Sequence, residues 1–122
     1  MTSNAEKLAA DFQQELFNGY LEAKTRYRYN AARFFQMLEE HGGVETARRL
    51  LSSNDPYGQS GLTEMYLCKR LDLTVEARVL NPKYESLFAS DLRAVAQQRL
   101  EDRDFDVAAW IREMKARSKG ET

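Results

Sequence analysis

The chain has 122 residues, of which 43% are hydrophobic and 30% are charged, and its formal net charge is −1. This length suits one domain with one core, and the composition is that of a folded globular protein rather than a disordered chain. The near balance of 18 basic and 19 acidic residues argues against a protein that works mainly by neutralising a phosphate backbone, but it leaves room for a local basic patch.

Two features of the sequence favour the cytoplasm. The single cysteine, Cys68, excludes an internal disulfide and fits a reducing compartment. The first ten residues are polar and contain no apolar run of the signal-peptide type. The longest apolar runs in the chain are only a few residues, so we also predict no membrane span.

Apolar residues recur at helical spacing through the first third of the chain and predict a long N-terminal helical element. Ser3 or Asn4 is placed to cap its start. We predict a break near Tyr29-Asn30, because Asn30 is a good cap for a second helix. His41-Gly42-Gly43 ends that second helix, since a glycine readily takes the left-handed conformation that follows a helix.

The rest of the sequence predicts short helices separated by caps and loops. Residues 52–60 are rich in Ser, Asn, Asp, Pro and Gly and predict a loop. Thr74 and Ser90 are predicted helix caps, and Asp104 or Asp106 caps the last helix. Asn81-Pro82 stops one helix and starts a short turn that reaches Leu87-Phe88. The later predicted helices span residues 44–51, 61–70, 75–80, 91–101 and a C-terminal segment after Asp104 or Asp106. We therefore predict an all-α fold, in which residues 1–122 form a single compact domain of five to seven mostly short helices around the long N-terminal element.

We expect the chain to be organised around one stretch, Arg70-Leu71-Asp72-Leu73-Thr74-Val75-Glu76. It alternates apolar and polar residues, but it is short and lies between helical sequences, so it predicts a tight helix-to-helix connection. Arg70, Asp72 and Glu76 are candidate binding residues if they form an exposed cluster that a ligand or partner contacts. The favoured alternative is a buried or half-buried ion-pair network that fixes the connection. A metal site on the two carboxylates is disfavoured because Arg70 competes for both.

The sequence lacks the common motifs for metal binding, cofactor binding and nucleophilic catalysis. One histidine and one cysteine cannot form a zinc site of ordinary composition. There is no phosphate loop, no dinucleotide fingerprint and no nucleophile-elbow pattern. We expect no metal, no cofactor and no catalytic residue, and a hydrolase with scattered catalytic residues is the weakest hypothesis.

The segment from Lys24 to Phe35 is basic and rich in aromatic residues. Four positive charges and no acid lie between Ala23 and Leu38, a combination found in proteins that bind single-stranded nucleic acid. On one continuous helix, Arg26 and Arg33 share a side, and they are the candidate nucleic-acid-binding residues. The alternative is a solvated basic helix.

A combined pattern covers residues 29–34, 41–51, 60–63, 70–77 and 87–88. Together these segments resemble a small, uncharacterised all-helical bacterial family. The similarity extends from about Tyr29 to Leu100. Members stand alone or are appended to larger chains, some with nuclease or defence-type domains, which implies an accessory role in a bacterial or phage-encoded system. The chain differs from the family pattern at Arg28, where a glycine is usual, and in its extension after Phe105.

The C-terminal helix carries a narrow apolar stripe of Val107, Trp110, Ile111 and Met114. Burying this stripe is worth several kcal/mol, so it must cover something. Either it folds back on the first helix or it pairs with a second copy or a foreign protein. Because the family resemblance ends before it, we predict that residues 105–122 form a peripheral helix on which partner docking depends, with Trp110 as the main contact.

These patterns lead to two main functional hypotheses. The first is a non-enzymatic protein-interaction or accessory module, with a protein partner or self-association, no membrane and no small-molecule cofactor. The alternative is a nucleic-acid-binding accessory protein that uses the segment from Lys24 to Phe35. A one-sided basic face would favour the second hypothesis, and a deep pocket with a perturbed carboxylate would favour the hydrolase.

Overall fold

A computed structural model describes residues 3–53 and 56–120, and in these ranges the regular secondary structure is all helical, without a strand. The predicted all-α class is therefore confirmed, as is the long N-terminal helix. Two short 3₁₀ turns, Leu71–Leu73 and Pro82–Leu87, complete the described elements. The α-helices are α1 (Asn4–Tyr27), α2 (Ala32–His41), α3 (Gly43–Ser52), α4 (Pro56–Leu67), α5 (Val75–Val79), α6 (Ser90–Glu101) and α7 (Val107–Gly120). None of these helices combines the length and the apolar character needed to cross a membrane.

Helix α1 begins as predicted and ends slightly early. The Ser3 hydroxyl accepts a hydrogen bond from the Glu6 N–H at 3.1 Å, which satisfies one donor of the first turn. The helix ends at Tyr27, and Arg28 follows in the left-handed conformation with φ 57°. Asn30 is not the cap of α2: Ala31 occupies that position, and the Asn30 side chain instead accepts a hydrogen bond from the Tyr20 hydroxyl at 3.1 Å.

The two glycines between α2 and α3 have different tasks. Gly42 has φ 79°, a conformation that side chains disfavour, and it turns the chain as predicted. Gly43 lets α3 approach α1, because a Cβ atom there would lie only 2.7 Å from Gln13 Cα. The Gly43 N–H donates to Gln13 Oε1 at 3.2 Å. The contact between α1 and α3 therefore also satisfies a backbone donor at the start of α3.

The connection between α3 and α4 is shorter than the loop predicted at residues 52–60. Helix α3 continues to Ser52 and α4 already begins at Pro56, so the described part of the connection is short; residues 54–55 lie outside the described ranges. Proline is well tolerated in the first turn of a helix because its missing N–H has no intrahelical partner there. Helix α4 ends at Leu67 rather than Arg70, and Lys69 turns the chain with φ 60°.

The buried apolar residues fall into two clusters. The main core surrounds Phe12 of α1, whose ring packs edge-on against Tyr84 and Phe88 at centroid distances of 5.2 and 5.0 Å. A smaller cluster at the other end of α1 joins Ala23, Met65 and Leu73. Partly buried Tyr27, Tyr29 and Cys68 pack against this second cluster.

Helix α7 belongs to the main core, which corrects the expectation of a peripheral helix. It packs against α6 and the second 3₁₀ turn, and Val107, Trp110 and Met114 are buried there. The indole N–H of Trp110 donates to the Ala77 carbonyl at 2.8 Å, so the polar atom of the side chain is satisfied as well. The stripe is covered inside the chain, and no second copy is needed to cover it.

Candidate functional site

The stretch from Arg70 to Glu76 forms the tight connection that its sequence predicts. Leu71 and Leu73 are buried on either side of Asp72 in the first 3₁₀ turn. Thr74 then caps α5: its hydroxyl accepts from the Ala77 N–H at 3.2 Å and donates to the Leu71 carbonyl at 2.6 Å. The two leucines therefore anchor the connection in the protein interior, and the connection ends at the capped start of α5.

Arg70 ties this connection to the end of α1. Its Nε and Nη2 atoms each donate to one oxygen of the Asp72 carboxylate at 3.0 Å. Its Nη1 atom donates to Glu22 Oε1 at 3.2 Å and to the Tyr27 hydroxyl at 2.8 Å. The hydrogen bonds that Arg70 donates to Asp72 and then to Tyr27 raise the pKa of Arg70, so the guanidinium stays charged. This arrangement supports the structural interpretation of Arg70 and Asp72.

Glu76 is not part of that cluster, so the predicted group of three is split. Its carboxylate is buried, and Oε2 accepts from Arg99 Nη1 at 3.1 Å. Arg99 also donates to the carbonyls of Leu50 at 3.2 Å and Ser53 at 2.9 Å, which joins α6 to α5 and to the end of α3. Burial raises the pKa of Glu76, while hydrogen bonds from its own N–H and from Arg99 act in the opposite direction.

Sequence reasoning missed Arg99, although one signal was present. Arg99 follows Val95 by four residues and precedes Leu100, so it stands on the apolar stripe of α6. A charged residue at an inward-facing position usually has a buried partner. The signal identifies the arginine, but nothing in the sequence identifies Glu76 as the carboxylate that it meets.

A cavity of about 320 Å³ lies beside the second cluster, enclosed by α1, residues 29–31, the start of α2, α4 and the stretch from Leu73 to Glu76. Small residues leave this space open: Gly19 and Gly61 line it from α1 and α4, and Ala31 and Ala32 line it from the next segment. Gly19 also lets α1 approach the connection, since a Cβ atom there would lie 3.2 Å from the Leu73 carbonyl oxygen. The large apolar wall residues are Leu16, Phe34, Met37, Leu50, Leu62 and Met65.

Exposed residues mark the mouth of this cavity, and buried polar residues lie in its wall. Asn30, Arg33 and Ser60 are wall residues with exposed side chains, so they border the opening. Thr74 and Glu76 are wall residues that are buried. Their side chains already bond within the fold, which leaves the mouth as the polar part of the site.

The basic segment is interrupted between α1 and α2, close to the predicted break near Tyr29-Asn30, so Arg26 and Arg33 do not lie on one continuous helix. Arg26 lies on α1 and pairs with Glu22 at 3.7 Å, whereas Arg33 lies on α2 at the mouth of the cavity. The Lys24 ammonium lies 5.9 Å from the centroid of the Tyr20 ring, and Tyr20 is itself a wall residue. Trp110, the remaining candidate binding residue, is buried in the main core.

In the ranges that the structure describes, no group of three or more His, Cys, Asp or Glu side chains is placed to hold a metal ion. A scan against protein-family models gives no match. Searches of curated proteins and of solved structures also find no match. The resemblance drawn from the sequence stays a prediction, and function has to be argued from the cavity and its surroundings.

Proposed function

We propose that the protein is a non-enzymatic interaction module whose cavity receives an apolar side chain of a partner protein. The observation that supports this proposal is the cavity. Its volume of about 320 Å³ is at the lower end of the range for ligand pockets. It is roughly twice that of an engineered apolar cavity that binds benzene. It therefore has room for one large side chain and not for an extended ligand.

The interior of the cavity supports binding more than catalysis. Glu76 is the one carboxylate among its described wall residues, and that carboxylate accepts a hydrogen bond from Arg99. The hydroxyl of Thr74 is engaged by Leu71 and Ala77, so it is not presented to a substrate. Acid-base chemistry of the glycosidase or protease type needs a second group within reach. A hydrolase thus stays the weakest hypothesis despite the raised pKa of Glu76.

An accessory role in a bacterial or phage-encoded system, of the defence type, is part of the proposal and rests on the family resemblance. A cytoplasmic location rests on the lone Cys68, which is free and half-buried beside the second cluster. A thiol of this kind is a small apolar packing residue and persists in a reducing compartment.

Filling the cavity tests the proposal. Among the described residues, a Cβ atom at Gly61 would meet only the Tyr29 hydroxyl, at 3.9 Å, so Gly61→Leu places a large side chain at the wall without a clash with their backbone. Gly61→Ala is the matched control, because it makes the same backbone change and adds one carbon. Affinity capture from the native host should recover a partner with the wild type and Gly61→Ala but not with Gly61→Leu. Capture of the same partner by all three proteins, each with the wild-type melting temperature, would show that the cavity is not the site.

Nucleic acid is the second candidate, favoured by the exposure of Lys24, Arg26, Arg28 and Arg33 around the end of α1 and the start of α2. If these cations bind a phosphate backbone, the double variant Arg26→Glu, Arg33→Glu should lose binding, and the wild-type affinity should fall steeply with salt. Labelled single-stranded DNA and RNA are suitable probes in a gel-shift assay. No shift at low salt would remove this candidate.

A further inference from the structure

We infer that the partner side chain entering the cavity is aromatic and that Tyr20 selects it. This inference rests on the proposed function and names the chemical class of the anchor. The observation behind it is that aromatic rings and methionine side chains stand together in the cavity wall. Aromatic rings attract one another, and attract methionine sulfur, more strongly than the buried apolar area alone explains.

Aromatic residues line the cavity from three successive segments. Tyr20 lines it from α1, Tyr29 from the connection that follows α1, and Phe34 from α2. Ring pairs are favourable when they are offset-stacked or edge-to-face. Because the wall residues approach from different segments, a flat ring that enters the cavity can adopt one of these arrangements with at least one of them.

Two methionines strengthen this preference. Met37 lines the cavity from α2 and Met65 from α4. The thioether sulfur makes favourable contacts with aromatic rings, and the flexible side chain adapts to the shape of a ring. An aliphatic anchor would bury similar apolar area against the leucines of the wall, but it would gain neither the ring–ring nor the sulfur–ring contact.

The fold holds the ring of Tyr20 in position before a partner binds. The ring stacks on that of Phe35, with the centroids 4.9 Å apart and an interplanar angle of 19°. The Tyr20 hydroxyl donates a hydrogen bond to Asn30 Oδ1 at 3.1 Å. A side chain that is already ordered loses little conformational entropy on binding, so its contact with the anchor contributes almost fully to affinity. Tyr20 is therefore the specificity-determining residue of the site.

A displayed library of short random peptides provides the first test. Selection on the wild-type protein, with Gly61→Leu for counter-selection, retains the peptides that need the cavity. We expect the retained sequences to share one Trp, Phe or Tyr. Retained sequences that share Leu, Ile or Val instead would overturn this inference and leave the interaction module standing.

A pair of synthetic peptides isolates the contribution of Tyr20. In one peptide the shared residue is Phe, and in the other it is cyclohexylalanine, which has a saturated ring of similar size. Calorimetry gives the ratio of their dissociation constants, from which any loss of stability common to both complexes cancels. Tyr20→Leu should reduce the preference for Phe about threefold to tenfold, and the matched control Tyr20→Phe should keep it. The same ratio for the wild type and both variants would overturn the role of Tyr20.

Methionine methyl NMR reports whether the anchor ring enters the cavity. Met37 and Met65 are wall residues, whereas Met114 is buried in the main core and serves as an internal control. The ring current of the Phe peptide should shift the methyl signals of Met37 and Met65 and leave that of Met114 in place. The cyclohexylalanine peptide, which has no ring current, should cause much smaller shifts.

The remaining outcomes concern the proposed function itself. A library that yields no peptide dependent on the cavity would overturn both proposals, as would a Phe peptide that binds without shifting Met37 or Met65. Indole is the comparison probe: if it shifts the two methyl signals while no peptide does, the occupant is a small aromatic molecule and the proposal of a protein partner is wrong.

Discussion

The two ends of α1 are packed in opposite ways. Near its start, the ring of Phe12 is fully buried between two other aromatic rings, and Gly43 brings α3 into backbone contact. Near its end, Gly19 and Ala23 face a cavity that no side chain fills. One helix therefore supports a dense core and an open site, because large residues occupy its stripe at one end and small residues at the other.

The two ion pairs formed by the stretch from Arg70 to Glu76 also differ, in this case in their exposure to water. The pair of Arg99 and Glu76 belongs to the buried interior, with side-chain exposures of 13% and 5%. The pair of Arg70 and Asp72, beside the second cluster, has exposures of 25% and 34%. Water screens the second pair and not the first, so the same residue types should contribute differently to stability.

The largest effect that this comparison predicts is at α7. Trp110→Ala removes a buried ring and orphans the Ala77 carbonyl, and it should lower the free energy of unfolding by about 3–5 kcal/mol. Tyr66→Ala on α4, where the side chain is 47% exposed, should change it by no more than about 0.5 kcal/mol. Urea unfolding followed by circular dichroism measures both changes.

Truncation after Asp104 extends the same test to the whole helix. The sequence predicts that the core folds without α7, but the burial of Val107, Trp110 and Met114 now leads us to expect an unfolded chain. Helicity by circular dichroism and mass by light scattering are the readouts. A truncated chain that keeps its helicity would restore the peripheral interpretation.

The next effect compares the two arginines. Arg99→Ala leaves Glu76 buried without its partner and should cost about 3–5 kcal/mol. Arg70→Ala should cost less, about 1–3 kcal/mol, since Asp72 and Glu22 stay partly hydrated after the change. Equal losses in urea unfolding would contradict the distinction between the buried pair and the partly exposed pair. An Arg70→Ala protein with an unchanged melting temperature and no partner binding would instead assign Arg70 to a binding site.

A pair of glycine variants tests the packing directly. Gly43→Ala forces a Cβ atom against Gln13 Cα and should cost about 1–3 kcal/mol. Gly61→Ala adds a Cβ atom in the middle of α4, at an ordinary van der Waals distance of 3.9 Å from the Tyr29 hydroxyl. It should be neutral or stabilise the fold by up to about 1 kcal/mol, because alanine favours the helix more than glycine does. Thermal melting of the two proteins gives the sign of each change. A destabilised Gly61→Ala would mean that the cavity end is as tightly packed as the core.

Local features were predictable from the sequence, because they depend on neighbours in the chain. Ser3 and Thr74 cap their helices, Gly42 turns the chain, and the second 3₁₀ turn begins at Pro82, all as predicted. Predictions of helix caps were less reliable where the side chain could bond to a residue distant in sequence. Asn30 bonds to Tyr20 instead of capping α2, since a tertiary partner satisfies its side chain equally well.

The candidate site was not predictable, because it depends on which elements meet. The sequence shows small residues at Gly19, Ala23 and Gly61, but small residues allow close packing as readily as a cavity. Only the placement of α4 decides between these outcomes, and at Gly61 it leaves space. The pairing of Glu76 with Arg99 spans 23 residues and likewise follows from the tertiary arrangement.

The smallest expected effect is the pH dependence that Glu76 contributes. Burial raises the pKa of Glu76 in the folded protein above the ordinary value of about 4.3 in the unfolded chain. Between these two pKa values the folded state binds more protons than the unfolded state, so this group favours folding below pH 4 and loses that contribution as the pH rises through the folded pKa. The slope of stability against pH should therefore change when Glu76 is replaced by Gln.

The comparison of Glu76→Gln with the wild type isolates this contribution from the other carboxylates. Urea unfolding at a series of pH values from 4 upward should show a difference between the two proteins that drifts with pH in favour of the variant. The interaction of the ionised Glu76 carboxylate with Arg99 is one of the contributions to the folded-state pKa, so its loss is included in the drift. A constant difference across the series would mean that Arg99 holds the pKa of Glu76 at its unfolded value.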